Sequence, residues 1–312
     1  MDELTTAEMV RFFRFMHRRV DWPDMDHLVG RVAERCEALH ELPVQMQDGR
    51  TLYLDLRNPV AIPYLLEGEF PCERWETAFA RCIVQPGDTV IDIGANVGWY
   101  SSLLSECVGP DGRVVAFEPN PELVRLLQQL AREHPQLEVV DAGVADRDGE
   151  ADFQVTPNWI SGTFGQVDDA IATHRTKLVT LDHFLADRQL TPPTFIKCDA
   201  EGVELQVLAG ARALLASEWA PIWMVEFSSE EAEKCGQHPA RIAEVFENVA
   251  DQRYQSYIIN QQDGTLDPLA IPSAGPFWFN VIFTPPHLGG RLDLWRDHLA
   301  TADGEDVVLI EE

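Results

Sequence analysis

The sequence predicts an α/β fold: a doubly wound, mostly parallel sheet behind an N-terminal extension of helix and hairpin. Three observations carry this. Val90 to Ser101 opens as an apolar run, Val90–Ile93, breaks at Gly94 and resumes as a helix from about Val97. Short apolar runs then alternate with helical-period segments, which gives parallel strands with helices on both faces. Five of those runs finish close to an acid: Asp92, Glu118, Asp141, Asp199 and Glu226. In a doubly wound sheet such ends converge on one crevice.

The 312 residues, 45% of them apolar, suffice for one sizeable domain with an extension. We divide them as residues 1–78 (extension), 79–285 (main domain) and 286–312 (acidic tail). The net charge of −28 repels a polyanion, so nucleic acid is not an expected partner. Six cysteines form no CxxC pair and no pattern with histidine, so reduced thiols and no structural zinc site are expected; paired acids holding a divalent ion stay an open alternative, with no ligand spacing to fix one. No stretch is apolar enough to span a membrane, and the first residues do not read as a signal peptide. A cytoplasmic location is the expectation.

Ala7 to Arg19 reads as a basic, aromatic helix. It is expected to pack on the main domain or on a second copy of the chain rather than on a membrane. Leu42 to Leu56 reads as a hairpin around Asp48-Gly49. A helix over Arg74–Ile83 leads to the turn Pro86-Gly87-Asp88. After the Gly94 loop, Tyr100–Cys107 is helical and stops at Gly109-Pro110. Arg113–Phe117 is the second strand. Asn120 as cap with Pro121 in the first turn starts the next helix. Leu137–Val140 is the third strand, and Asp148-Gly149 marks a second hairpin returning over Ala151–Val155. Asn158–Gly165 is a polar loop suited to cover a site. Leu178–Leu185 leads to the fourth strand, Thr194–Asp199. One helix over Val203–Leu215 covers it. Ile222–Phe227, Tyr257–Asn260 and Phe277–Phe283 complete the strands, with a helix at Pro239–Val249. From Pro285 the chain reads as a tail with one short helix around Trp295, exposed or packed on a partner.

The loop narrows the ligand. A dinucleotide fingerprint needs three glycines, the second to admit a pyrophosphate. Here Asn96 holds the middle position between Gly94 and Gly98. A wider loop with an amide suits a nucleoside without a diphosphate, and S-adenosylmethionine is the candidate. Glu118, 24 positions after Gly94, has the spacing of an acid that grips a ribose. Asp141 and Ala142 are expected beside the adenine. The cationic sulfonium and ammonium of S-adenosylmethionine match an acidic crevice.

Val90-Ile-Asp-Ile-Gly-Ala-Asn-Val-Gly-Trp-Tyr-Ser101, Val115-Ala-Phe-Glu-Pro-Asn120, Thr180-Leu-Asp-His183, Ile196-Lys-Cys-Asp-Ala-Glu-Gly-Val-Glu204 and Met224-Val-Glu-Phe227 together resemble the FkbM family of methyltransferases. The resemblance spans residues 86 to about 284. It implies a class I, Rossmann-like methyltransferase fold and transfer from S-adenosylmethionine to a hydroxyl of a small molecule or sugar. Carried onto this chain, it puts Gly94, Asn96, Gly98 and Tyr100 at the methionine end of the cofactor and Glu118 on the ribose. Asp141 and Ala142 border the adenine, and Asp199 faces the reacting centre or the amino group. Asp92, Pro119 and Asn120 lie in the same motifs and complete the expected cofactor set.

A hydroxyl nucleophile loses its proton during attack, and Asp199, Glu201, Glu226 and His183 are the candidate bases, Asp199 first. Lys197 shares a strand face with Asp199 and is expected to pair with an acid. Glu201 and Glu204 open a helix, where capping competes with catalysis. An NAD-dependent oxidoreductase is the alternative in another class, disfavoured by the missing glycine and by a lack of Tyr-x-x-x-Lys. A third reading is a non-catalytic cofactor-binding protein.

Overall fold

Alternating apolar residues build the extension. The computed structural model describes residues 5–19, 25–156, 162–164, 170–249, 253–272 and 275–301. Helices α1 (Thr6–Arg19) and α2 (Met25–Ala33) precede a hairpin of β1 (Leu42–Gln45) and β2 (Thr51–Leu54). The hairpin turns at Asp48-Gly49, where Gly49 has φ +88°. Leu42, Val44, Leu52 and Leu54 bury one face of it, as period-two alternation requires. Helices α3 (Ala61–Glu67) and α4 (Arg74–Ile83) follow. The extension shares one apolar core with the main domain: Phe13, Leu54 and Leu65 belong to the same cluster as Val90, Leu103 and Ile282. Helix α1 packs on the protein through Phe13, and Arg14 Nε donates to the Leu65 carbonyl at 2.7 Å. Its Phe12 and Phe15 are exposed. Buried Arg50 clamps the hairpin to the main domain, donating to the Trp99 carbonyl and Ser102 Oγ, both at 2.7 Å.

The main domain begins with β3 (Thr89–Ile93), α5 (Trp99–Val108), β4 (Arg113–Glu118), α6 (Pro121–Glu133) and β5 (Leu137–Asp141). The Asn120 side chain caps α6 by accepting from the Glu122 N–H, as expected. Short strands β6 (Gly143–Val144), β7 (Gly149–Val155), β8 (Gly162–Thr163) and β9 (Ala172–Val179) form a separate four-stranded sheet. Next come α7 (Leu181–Arg188), β10 (Phe195–Cys198), α8 (Glu204–Ala209), α9 (Arg212–Ala216) and β11 (Ile222–Ser228). The described chain closes with α10 (Ser229–Lys234), α11 (Ala240–Glu247), β12 (Gln255–Ile259), β13 (Leu266–Pro268), β14 (Trp278–Thr284) and α12 (Arg291–Thr301).

The large sheet has eight strands in the order β13-β12-β14-β11-β10-β3-β4-β5. Strands β11, β10, β3, β4 and β5 are parallel, and β14, β12 and β13 add antiparallel. The order reverses direction between β3 and β10, the position where α/β sheets open a crevice for ligands. One face carries Val90, Ala116, Phe195, Met224 and Ile282 against α4, α5 and the extension. The other carries Ile91, Phe117, Ile196, Trp223 and Phe283 against α7, α8, α9 and α11.

Three expectations are corrected, and a fourth falls largely outside the described residues. Strand β7 does not pair with the residues before Asp148-Gly149; it pairs antiparallel with β9, and β6 pairs parallel with β9. The helix expected over Val203–Leu215 is two helices parted at Gly210, where an added Cβ would lie 2.0 Å from the Ala145 carbonyl. The loop Asn158–Gly165 lies outside the described residues except for 162–164. Residues 286–301 are not a loose tail, and 302–312 lie outside the described residues. Leu292 and Trp295 are buried, the Trp295 indole donates to the Gly264 carbonyl at 2.9 Å, and Arg291 pairs with Asp88. A large aromatic with a partner for its N–H buries more readily than the acidic composition suggested.

Trp295→Ala should therefore destabilise the protein by about 3–5 kcal/mol. Urea unfolding measures this; a loss well under 1 kcal/mol would show that α12 adds nothing to the core.

Candidate active site

Side-chain alternation puts the acids on one face. Counting by twos from buried Val90, Ala116, Phe195 and Met224 brings Asp92, Glu118, Lys197 and Glu226 to the face toward α5 and the extension. There a cavity of about 850 Å³ opens at the β3–β10 switch point. Its polar lining includes Glu73, Asp92, Asn96, Tyr100, Glu118, Asn120, Asp199, Glu201, Glu226, Glu230 and Glu231. Lys197 is the one lysine or arginine among the described residues that line it.

The loop after β3 is stitched to its neighbours. Gly94 and Ala95 N–H donate to the Phe117 carbonyl at 3.0 and 3.1 Å, and Asp199 N–H donates to the Ile93 carbonyl at 3.0 Å. Gly94 has φ +77°, and a Cβ there would lie 1.8 Å from the Asp199 carbonyl. Only glycine fits. Glu118 is 4% exposed; Oε2 accepts from Asn96 N–H at 2.8 Å and Oε1 from Asn120 N–H at 2.9 Å. Burial nonetheless pushes its carboxyl up to about 7. Asp92 accepts from Ser101 Oγ at 2.6 Å and is pushed up to about 6, again by burial. Lys197 Nζ lies 3.1 Å from Asp199 Oδ2 and 5.4 Å from the centre of the Tyr100 ring. Its burial opposes the charge, but Asp199, Glu73 and Glu226 prevail and raise the ammonium above its ordinary range. Glu226 is held by the Trp278 indole N–H through Oε1; burial, then Asp199 and Glu201, push it well up.

The structure brings together Asp92, Gly94, Asn96, Tyr100, Glu118, Pro119, Asn120, Ala142, Asp199 and Glu226. Three expected residues lie elsewhere. Gly98, with φ +87°, admits α6: a Cβ would lie 2.7 Å from Leu130 Cδ2. Asp141 is exposed because it ends the edge strand. His183 sits in the first turn of α7, which covers the opposite face of the sheet. Its exposed ring lies 2.5 Å from Asp148, whose hydrogen bond raises the imidazole. Glu204 accepts from Ala200 and Gly202 N–H at 3.0 and 3.1 Å and so caps its turn. The sequence reading missed Glu73 and the aromatic wall of Tyr64, Phe70, Phe277 and Trp278. Glu73 carries no motif and comes from the extension.

A model of the methyltransferase FkbM domain matches residues 92–257. The chain belongs to the FkbM methyltransferase family. It is 28% identical over 131 residues to the hexuronic acid methyltransferase AglP of Haloferax volcanii, covering 42% of this chain and 52% of AglP. A 62-residue stretch is 42% identical to a protein-L-isoaspartate O-methyltransferase of Aeropyrum pernix, covering 20% of this chain and 24% of that one. The chain thus spans about half the length of AglP and less of the second relative. Among solved structures, an FkbM methyltransferase of Methylobacillus flagellatus KT aligns with a TM-score of 0.43 at 16% identity, over 73% of this chain and 54% of that one.

The cofactor of this fold, S-adenosylmethionine, fits the residues present. Asn96 Oδ1, Asn120 Nδ2 and the Tyr100 hydroxyl border the cavity, buried and without a hydrogen-bond partner of regular geometry among the described residues. The acids suit its two cationic groups. The same lining offers a pyrophosphate only Lys197, already paired, which argues against the dinucleotide alternative.

Glu118→Gln should keep the fold and weaken S-adenosylhomocysteine binding about tenfold or more, the loss of one charge-assisted hydrogen bond. Calorimetry measures it, and unchanged affinity in the folded variant removes Glu118 from the ligand. Affinity for S-adenosylmethionine should rise from below pH 6 to above pH 7 as Asp92 and Glu118, pushed up to about 6 and about 7, ionise. Folding has the opposite sign. These raised carboxyls bind more protons folded than unfolded, so stability falls as pH rises from the ordinary carboxyl range through about 7. Flat pH profiles would contradict both.

Proposed function

We propose that the protein is an S-adenosylmethionine-dependent O-methyltransferase acting on a hydroxyl of a small molecule or sugar. The observation that carries this is Asp199: Lys197 fixes Oδ2, while Oδ1 makes no hydrogen bond among the described residues and its carboxylate borders the cavity. When bound, the cofactor supplies an electrophilic methyl on a good leaving group. The chain's share is then mainly alignment, worth up to about 7–11 kcal/mol in ideal cases. Gly94, Asn96 and Glu118 hold the nucleoside side of the cavity. Pro59, Val60, Tyr64 and Phe70 from the extension also line the cavity, and an acceptor held against them is shielded from water. Asp199 Oδ1 takes the proton that the acceptor hydroxyl gives up. Lys197 keeps that carboxylate oriented and offsets its charge. Glu226, with its proton held high by burial, serves as a hydrogen-bond partner for the acceptor and as the second candidate base. The name of AglP, a methyltransferase of a sugar acid, supports a carbohydrate acceptor.

Asp199→Asn should lower kcat by about a hundredfold to ten-thousandfold, with cofactor affinity changed far less. Release of S-adenosylhomocysteine across a panel of hydroxylated compounds supplies the assay. Lost affinity with kcat retained would make Asp199 a cofactor ligand instead.

A further inference from the structure

The acceptor end of the cavity has two properties that constrain what enters. Its walls are aromatic: the Tyr64 and Phe70 rings stack at 5.1 Å, and Phe277 and Trp278 line another side. Trp278 is 44% exposed, so part of its ring is open to contact. Flat apolar walls of this kind suit the C–H face of a ring molecule. Its polar groups, by contrast, are carboxyls. Glu226 is 7% exposed, and the Trp278 indole fixes only Oε1; Oε2 makes no hydrogen bond among the described residues. Glu201, Glu230 and Glu231 border the same cavity, Glu231 in an ion pair with Lys234. Tyr100, 6% exposed, adds a buried hydroxyl that borders the cavity near Glu73 and Thr77.

We propose that the acceptor is a polyhydroxylated ring that is uncharged or carries an amine, and that Glu226, oriented by Trp278, excludes anionic acceptors. This rests on the reading of the cavity as a methyltransferase site and narrows its substrate class. It also parts this chain from the sugar acid in the name of AglP. The physical argument is repulsion. The carboxyls already relieve each other by holding protons: Glu226 and Glu201 are pushed well up, by burial first and then by Asp199 beside them. A carboxylate or phosphate on the acceptor either keeps the protons on these acids or stands beside like charge once they ionise, and it meets no unpaired lysine or arginine among the described lining residues, because Lys197 is spent on Asp199. A hydroxyl can donate to Glu226 Oε2 when the acid is ionised or accept from it when protonated. An amine draws the proton off and gains an ion pair. Discrimination at a desolvated site through like charge is large compared with that of a surface pair.

Calorimetry on the full chain saturated with S-adenosylhomocysteine tests this, with three probes of one ring: methyl α-glucopyranoside, glucosamine and glucuronate. The glucoside and the amine are expected to bind, glucuronate about tenfold or more weakly. Above the pH at which Glu226 loses its proton, E226Q should narrow that gap. W278F, which keeps a ring but loses the N–H, should narrow it too and shift the pH at which it appears. Glucuronate binding as tightly as the glucoside overturns the proposal with the wild-type protein alone, whatever the variants do. So does a gap left unchanged in folded E226Q up to alkaline pH, or binding of none of the three by a protein that binds S-adenosylhomocysteine. Failure to bind S-adenosylhomocysteine at all overturns the methyltransferase reading first, which separates the two failures.

Discussion

The site depends on one carboxylate shared between two loops. Glu118 Oε2 receives the Asn96 N–H and Oε1 the Asn120 N–H, so the loop leaving β3 and the loop leaving β4 are bonded through a single side chain. Leaving either buried N–H unpaired costs about 1–3 kcal/mol. The loop can present its amides this way because Gly94 and Asn96 both take positive φ, at +77° and +50°. The Gly94 turn brings the end of β10 against it, with no space for a Cβ. Three strand ends are thereby held within hydrogen-bonding reach of each other before any ligand arrives. This is the preorganisation an alignment catalyst needs.

Charge is the second constraint, and it is confined to one side of the sheet. The face toward the extension carries Asp92, Glu118, Lys197 and Glu226, while the other is covered by apolar contacts such as Phe246 on Phe283 and Phe117 on Phe184. A buried layer with more acids than cations costs folding free energy, and the protein meets that cost by protonation and by one ion pair. Removing Lys197 would strand Asp199 without a counter-charge, whereas the raised carboxyls await a cationic ligand. A cofactor with two positive groups is therefore bound partly by relief of this repulsion.

Much of this was legible in the sequence because it is local. Val90–Ile93, Gly94 and the Asn120-Pro121 cap declare strand, turn and helix start through neighbouring residues alone. Alternation placed Asp92 and Lys197 with Asp199 and Glu226. What failed was non-local. His183 follows a motif, yet which face α7 covers is decided by the path from β9. Asp141 ends a strand like the other acids, but only the strand order makes that strand an edge. Trp295 reads as part of a polar tail until Gly264 supplies a partner for its indole. Glu73 has no periodic context, and its burial follows from how the extension folds back.

The extension adds to the cavity from outside the matched family region. The matched family region, residues 92–257, contains the Gly94 loop, Glu118 and the Lys197–Asp199 pair. The far wall of the cavity comes from Pro59 to Glu73 and from Pro276 to Trp278, on either side of that region. Strand β14 pairs antiparallel with β11, so Trp278 reaches Glu226 from outside the parallel core. Arg50 and the shared apolar core anchor the extension, and Tyr64 belongs both to that core and to the cavity lining. The contacts that fix the extension therefore also fix its share of the cavity, while the strand ends are held together separately by Glu118 and the Gly94 turn.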